Sequence, residues 1–365
     1  MNNKTQATAP HARDRASTRS VVLSCEHLWK IYGPHPERFM AGGGKTVTAS
    51  CDEVVASGDH IPAVADISFQ VHRGEIFVIM GLSGSGKSTA IRCLARLVEP
   101  TSGSITLEHK DFLSASSREL IEIRRHKIGM VFQHFGLIPN LSVLENVAFP
   151  LKLQGVRAHE REERATAMIE LVGLTGRESN YPRELSGGQQ QRVGIARSLC
   201  VDPDLWLLDE PFSALDPLIR RQLQDEFLRI QQRLSKTIVF ITHDFMEAIK
   251  IADRIAIMRN GAIVQIGTPL EIITAPADDY VAQFSGDVPH CRVITAANLM
   301  HALSDQNDSA NADRLPQVDP DNTLEEILPH FATGTSQVAV VNGTGAILGT
   351  ISIDRALQSM QGIGR

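Results

Sequence analysis

Gly81-Leu-Ser83-Gly84-Ser85-Gly86-Lys87-Ser88 spaces two glycines, a lysine and a hydroxyl in the order that cradles phosphate. Glycines free the backbone N–H groups to turn toward an anion, and a helix beginning at the end of the string adds the positive end of its dipole. Lys87 can then reach the β- and γ-phosphates, the Ser88 hydroxyl can ligate Mg2+, and Thr89 follows as the helix continues. The flanks fit: Glu75–Met80 is a continuous apolar run of strand length, and Thr89–Leu97 has a helical pattern. Gly44-Lys45-Thr46 resembles only the end of such a loop. Phe39 stands where its first glycine belongs and no apolar strand precedes it.

A second group of reactive residues lies further along. Leu205-Trp-Leu-Leu-Asp209-Glu210 is an apolar strand ending in two carboxylates. Asp209 at the strand tip suits Mg2+ binding, and Glu210 suits orienting and deprotonating a water. Leu185-Ser186-Gly187-Gly188-Gln189 puts a serine and two glycines at a helix start, a second phosphate cradle without a lysine. One lysine-bearing cradle and one bare cradle, about 100 residues apart, imply a nucleotide shared between two surfaces.

The elements that must hold these residues alternate. Val21–Ile31 reads as an edge strand and Ile61–Val71 as a second strand, with 33–60 between them a Gly-, Pro- and Ser/Thr-rich inserted loop. Ala165–Val172 reads as helix, Leu205–Leu208 and Ile238–Ile241 as short buried strands, and Pro217–Leu234 as a helix with Leu218, Leu223, Phe227, Ile230 and Leu234 near 3.6 spacing. Alternation of this kind predicts a mostly parallel sheet in an α/β domain. The 365 residues suffice for two domains, and no run approaches the roughly 18 apolar residues that a membrane-crossing helix needs. The net charge of −6 excludes a broadly basic nucleic-acid binder. Five cysteines without C-x-x-C spacing argue against a disulfide or zinc framework and fit a reducing compartment. Residues 1–20 carry Lys4 and three arginines but no apolar core, so they read as a disordered tail rather than a secretory signal. From Gly286 to Arg365 there are nine Asp/Glu against four Arg and no Lys, a net of −5, which sets 286–365 apart as an acidic module.

Together the two cradles and the acidic strand end resemble the ATP-binding cassette (ABC) ATPases, in which Leu185–Gln189 is the signature motif. The resemblance runs from about Val21 to Phe284 and implies a P-loop NTPase domain with a helical subdomain over 21–285. It also implies roles for further residues. Gln133 matches the Q-loop glutamine that senses Mg2+, Ser213-Ala-Leu-Asp216 the D-loop, His243 the switch histidine at the γ-phosphate, and Tyr32 the aromatic residue that stacks on adenine. The family's implied assembly is a head-to-tail dimer of two copies with ATP between the P-loop of one and the signature of the other. It also implies integral membrane permease subunits, an associated substrate-binding protein, and a peripheral place on the cytoplasmic face of the inner membrane.

Within that family, Glu75–Thr89, Phe212–Arg220 and Arg254–Met258 look like the glycine betaine/proline betaine (quaternary amine) importer ATPases. A cassette importer for a polyamine, an amino acid or a sugar is the alternative. The tail agrees better with the first: Gln337–Asn342 and Ile347–Ser352 read as strands around a Gly343-Thr-Gly345 turn, and Asp354 opens a helix. This is similar to one cystathionine-β-synthase (CBS) repeat, where the family usually carries two. Ser352 precedes Asp354 by two residues rather than the repeat's usual three. The implied module is therefore single or degenerate, packing rather than nucleotide-binding.

Overall fold

The computed structural model describes residues 19–40, 46–133, 135–286, 289–302, 315–332 and 334–360. The expected N-terminal tail up to residue 18, the Gly44-Lys45 pair and residues 303–314 lie outside them. The chain divides into two compact units, Met1–Val264 and Gln265–Arg365.

The first unit has two sheets. β1 (Val21–Tyr32) and β2 (Ile61–His72) run antiparallel, and β1 pairs on its other side with β4 (Ser102–Leu107), which continues to β5 (Lys110–Asp111). β1 is thus an inner strand rather than the edge its weak alternation suggested. Its nearly continuous burial, from Val22 to Cys25 and again at Leu28 and Trp29, is what pairing on both sides requires. The 33–60 insert is not a bare loop. Ser50 and Glu53 form a capping box that starts α1 (Cys51–Ala56), and the helix buries Val54 against Trp29, Ile31, Val47 and Ala65.

The second sheet is ordered β10 (Ala262–Gly267), β9 (Arg254–Arg259), β3 (Ile76–Met80), β8 (Thr237–Thr242), β7 (Leu205–Asp209) and β6 (Ile128–Val131). The pairings from β9 through β6 are all parallel. Every residue of β3, β7 and β8 is buried, as their unbroken apolar runs demand. Because Met80 pairs with Thr242, Asp209 with Ile241 and Val131 with Leu208, four strands end along one edge. Parallel sheets bind ligands outside that carboxyl edge.

α2 (Lys87–Leu94) leaves β3 directly; α3 (Ser117–His126) precedes β6. α4 (Val143–Leu153), α5 (Ala158–Leu171) and α6 (Gly187–Leu199) pack on one another as a helical group between β6 and β7. α7 (Pro217–Leu234) spans its expected range. Phe227 on α7 meets Trp206, Phe212 and Phe240 in tilted and edge-on contacts at 5.6–6.1 Å, which pins the helix over β7 and β8. Aromatic pairs at such spacing add about 0.5–1.5 kcal/mol each beyond area burial. α8 (Phe245–Ile251) follows β8.

The second unit opens with α9 (Pro269–Thr274), α10 (Asp279–Ser285) and α11 (Ala296–Leu299). Its sheet is ordered β11 (His301–Ala302), β14 (Ile347–Ser352), β13 (Gln337–Val341) and β12 (Gln317–Val318). α12 (Leu324–Ala332) joins the parallel pair β12–β13, and α13 (Ile353–Met360) follows β14. The unit begins earlier than Gly286 because Leu270 on α9 packs against the tail core of Ile294, Leu324, Val338, Val340 and Ile351.

Candidate active site

The Gly81–Ser88 loop joins β3 to α2 as its flanks predicted. Gly81 (φ 154°), Gly84 (φ 81°) and Gly86 (φ 101°) all sit in the region that favours glycine. Gly86 also needs the space: a Cβ there would lie 2.0 Å from the carbonyl oxygen of Ala63. Lys87 is 4% exposed, and its Nζ donates to the carbonyls of Gly81 and Leu82, each at 2.8 Å. Burial lowers the Lys87 pKa, an effect that Glu210 and then Asp209 oppose through their charge. A desolvated ammonium inside a ring of backbone dipoles is prepared for a polyanion. Ser85 is buried, and its carbonyl accepts from Gly261 N; Ser83 and Gly84 are exposed.

Ser88 Oγ donates to Asp209 Oδ1 at 2.9 Å, which links the start of α2 to the end of β7. Asp209 is 2% exposed; burial raises its pKa, only partly offset by Ser88 and by Arg92, whose Nη2 lies 3.8 Å from Oδ2. Arg92 was not among the expected residues, although its place five residues after Lys87 on the same helix was the available signal.

Glu210 directly follows β7 with φ 46°, an uncommon conformation for a non-glycine residue. Its N–H donates to Ile241 O on β8, and its Oε2 lies 3.0 Å from His243 Nδ1. The structure therefore brings the acidic strand end and the expected switch histidine into one hydrogen-bonded pair. Gln133 is exposed, two residues beyond β6 on the same carboxyl edge. The turn after it is held to α6, since Arg197 donates to the carbonyls of Phe135 and Gly136.

Ser186 is the N-cap of α6 and forms a reciprocal capping box with Gln189. The Ser-x-x-Gln spacing alone predicts that. Gly187 and Gly188 have ordinary helical backbone here; Gly188 is required for space, because a Cβ would meet Ile219 Cγ2 at 2.7 Å. Asp216 caps α7 through the N–H groups of Leu218 and Ile219. The described polar contacts of Ser186, Gln189 and Asp216 are thus with their own helix starts, and none reaches the Gly81–Thr89 loop. Tyr32, at the end of β1, is 43% exposed, with Lys30 Nζ 5.0 Å from its ring centroid.

The chain is similar to known proteins. The ABC transporter family model matches residues 64–213. The chain is 46% identical to the trimethylamine N-oxide transport system ATP-binding protein TmoW of Pelagibacter ubique over 93% of its length and 97% of that protein. It is 47% identical to the glycine betaine/proline betaine transport system ATP-binding protein ProV of Escherichia coli, over 77% of this chain and 70% of that one. Among solved structures, the ATP-binding cassette MJ0796, in a dimeric post-hydrolysis state bound to ADP and Pi, is 32% identical. It has a TM-score of 0.56 and covers 68% of this chain and 98% of its own. The chain belongs to the ABC transporter family, as one of its ATP-binding ATPases.

Proposed function

We propose that this chain is the ATP-hydrolysing subunit of an importer for a small methylated-amine solute, such as glycine betaine, proline betaine or trimethylamine N-oxide. The observation that carries the catalytic half is the meeting of Ser88 with Asp209 at 2.9 Å and of Glu210 with His243 at 3.0 Å along one sheet edge. The solute class is supported by likeness to TmoW over nearly the whole of both chains.

Lys87 binds the β/γ-phosphates in exchange for the Gly81 and Leu82 carbonyls, and the loop N–H groups wrap the rest. Glu210 accepts a proton from the attacking water, while His243 fixes the carboxylate by its Nδ1 contact and faces the γ-phosphate. Ser88, Asp209 and Gln133 offer oxygen donors only, the type a hard dication takes. Asp209 is a buried carboxylate whose charge is incompletely compensated, so the set fits Mg2+. Held by these residues, Mg2+ would supply charge neutralisation to the transferring phosphoryl group. Among the described residues no cluster of three or more His, Cys, Asp or Glu could hold a metal ion.

Ser186–Gln189 presents N–H groups and a hydroxyl but no cation, so we assign it to the γ-phosphate of an ATP held by a second copy. Tyr32 stacks on adenine, and Asp216 and the rest of the D-loop face the partner. Among the described residues no helix is long and apolar enough to cross a membrane. From the likeness to transport-system ATP-binding proteins we assign the transport path to separate permease subunits fed by a binding protein, with this chain peripheral on their cytoplasmic side. For the tail, the order β12–α12–β13–β14–α13 supports one CBS-like module. Ser352 Oγ is used to cap α13 by accepting from Arg355 N, which favours packing over ribose binding.

The test is uptake into proteoliposomes carrying the permease subunits, with radiolabelled trimethylamine N-oxide, glycine betaine, choline and proline, and with spermidine and maltose as controls. ATP-driven uptake of a methylated amine, lost with Glu210→Gln, is expected. ATP-driven uptake of spermidine or maltose instead would contradict the solute class.

A further inference from the structure

Glu210 adopts a left-handed conformation, with φ 46°, and something must hold it there. The turn that begins at Glu210 closes on itself: Ser213 N and Ser213 Oγ both donate to Glu210 O, and Leu215 N donates to Phe212 O. Three of its carbonyls point to one side chain on α7. Arg220 Nε donates to Phe212 O at 3.2 Å, and Nη2 donates to Leu215 O at 3.1 Å and Ser213 O at 3.5 Å. Its remaining nitrogen, Nη1, lies 3.6 Å from Asp244 Oδ2. Asp244 follows His243 directly, and its other oxygen caps α8 by accepting from Glu247 N.

We propose that Arg220 is a positioning residue for hydrolysis, joining the turn that carries Glu210 to the turn that carries His243. A guanidinium can do this because its planar fork offers several donors at once, where an ammonium offers one compact charge. Three further ties run between the same helices: Gln224 Nε2 donates to the buried Glu247, Lys250 Nζ donates to Gln224 Oε1 at 3.4 Å, and Lys250 pairs with Asp225 at 2.7 Å. They hold α7 against α8. Of these ties only Arg220 reaches the turn itself, so together with the Glu210 N–H bond to Ile241 O it sets the Glu210–His243 separation while the others hold the frame.

The inference rests on the role of Glu210 given above, and a mutant cycle keeps the two apart. Full-length wild type, Glu210→Gln, Arg220→Ala and the double variant are compared by single-turnover hydrolysis of radiolabelled ATP and by affinity for a fluorescent ATP analogue. Arg220→Ala is expected to lower the rate about 10- to 100-fold, as misplacement of a reacting group does, with nucleotide affinity changed less than about threefold. The double variant is expected to match Glu210→Gln within about threefold, because residues acting as a unit are not additive. Arg220→Lys should show the same rate loss, and it replaces Arg220→Ala if that variant does not fold. Wild-type rates in the Arg220 variants, or losses that multiply in the double variant, overturn the inference. Wild-type hydrolysis by Glu210→Gln overturns the reading of Glu210, and this inference with it.

Discussion

The two glycine-rich strings, Gly81–Ser88 and Leu185–Gln189, are similar in composition and opposite in physics. In the first, three glycines are needed for backbone angle, and the loop encloses its own cation, the nearly buried Lys87. In the second, both glycines are helical, and Gly188 is needed for close packing on Ile219. Ser186 is exposed, and Gln189 closes the helix start with it. The first string can bind a polyphosphate alone. The second offers only the uncharged end of a helix, too weak to hold one without charge supplied from elsewhere. The difference fits the roles proposed above, in which each copy would bind nucleotide with one string and read its partner's nucleotide with the other.

The comparison can be broken at several points. The largest effect is expected at Glu210, which belongs to neither string: Glu210→Gln should cut turnover about 10²–10⁴-fold and trap ATP-bound dimers, measured by phosphate release and size-exclusion chromatography. Lys87→Ala should weaken ATP binding to the monomer about 10- to 100-fold, since a charge-assisted bond to phosphate is lost; titration calorimetry reads this. Ser186→Arg should leave that monomer affinity within about threefold, because Ser186 has no part in the chain's own loop. It should nevertheless abolish ATP-driven dimers. Deleting Thr268–Arg365, which removes the second unit from just after β10, should change ATPase turnover by less than about threefold, because both strings and the Glu210–His243 pair lie in the first unit and domains fold around their own cores.

The smallest effect concerns stability. The native Lys87 pKa lies below its ordinary 10.5, so the native state holds fewer protons than the unfolded chain between the lowered value and 10.5. Stability contributed by this group therefore rises with pH across that window, and the charged form is a cost at neutral pH. Lys87→Ala should melt no lower than wild type at pH 7 by scanning calorimetry while binding ATP far less well.

Much of this site was legible because its signals are local. Lys87 and Ser88 are fixed by spacing, Asp209 and Glu210 by the end of an apolar strand, and Ser186 with Gln189 by a capping box. What the sequence concealed depends on contacts across the chain. β1 alternates weakly and reads as an edge, but β4 pairs with it from some 80 residues away. The insert's helix depends on burying Val54 in a cluster that includes Trp29 and Ala65, on strands either side of it. Arg220 is one more polar residue in an amphipathic helix until the turn at Phe212–Leu215 folds back onto it.

We expect each ATP to be shared between the loop of one copy and the signature of the other. Heterodimers joined by a flexible linker test it most directly. With Lys87→Ala in one half and Ser186→Arg in the other, both defects fall on one site and the second site remains whole. With both substitutions in the same half, each site carries one defect. The account predicts ATP-driven closure and measurable turnover in the first arrangement, at about half the wild-type rate if sites act independently, and neither in the second. Equal activity in the two arrangements would contradict it.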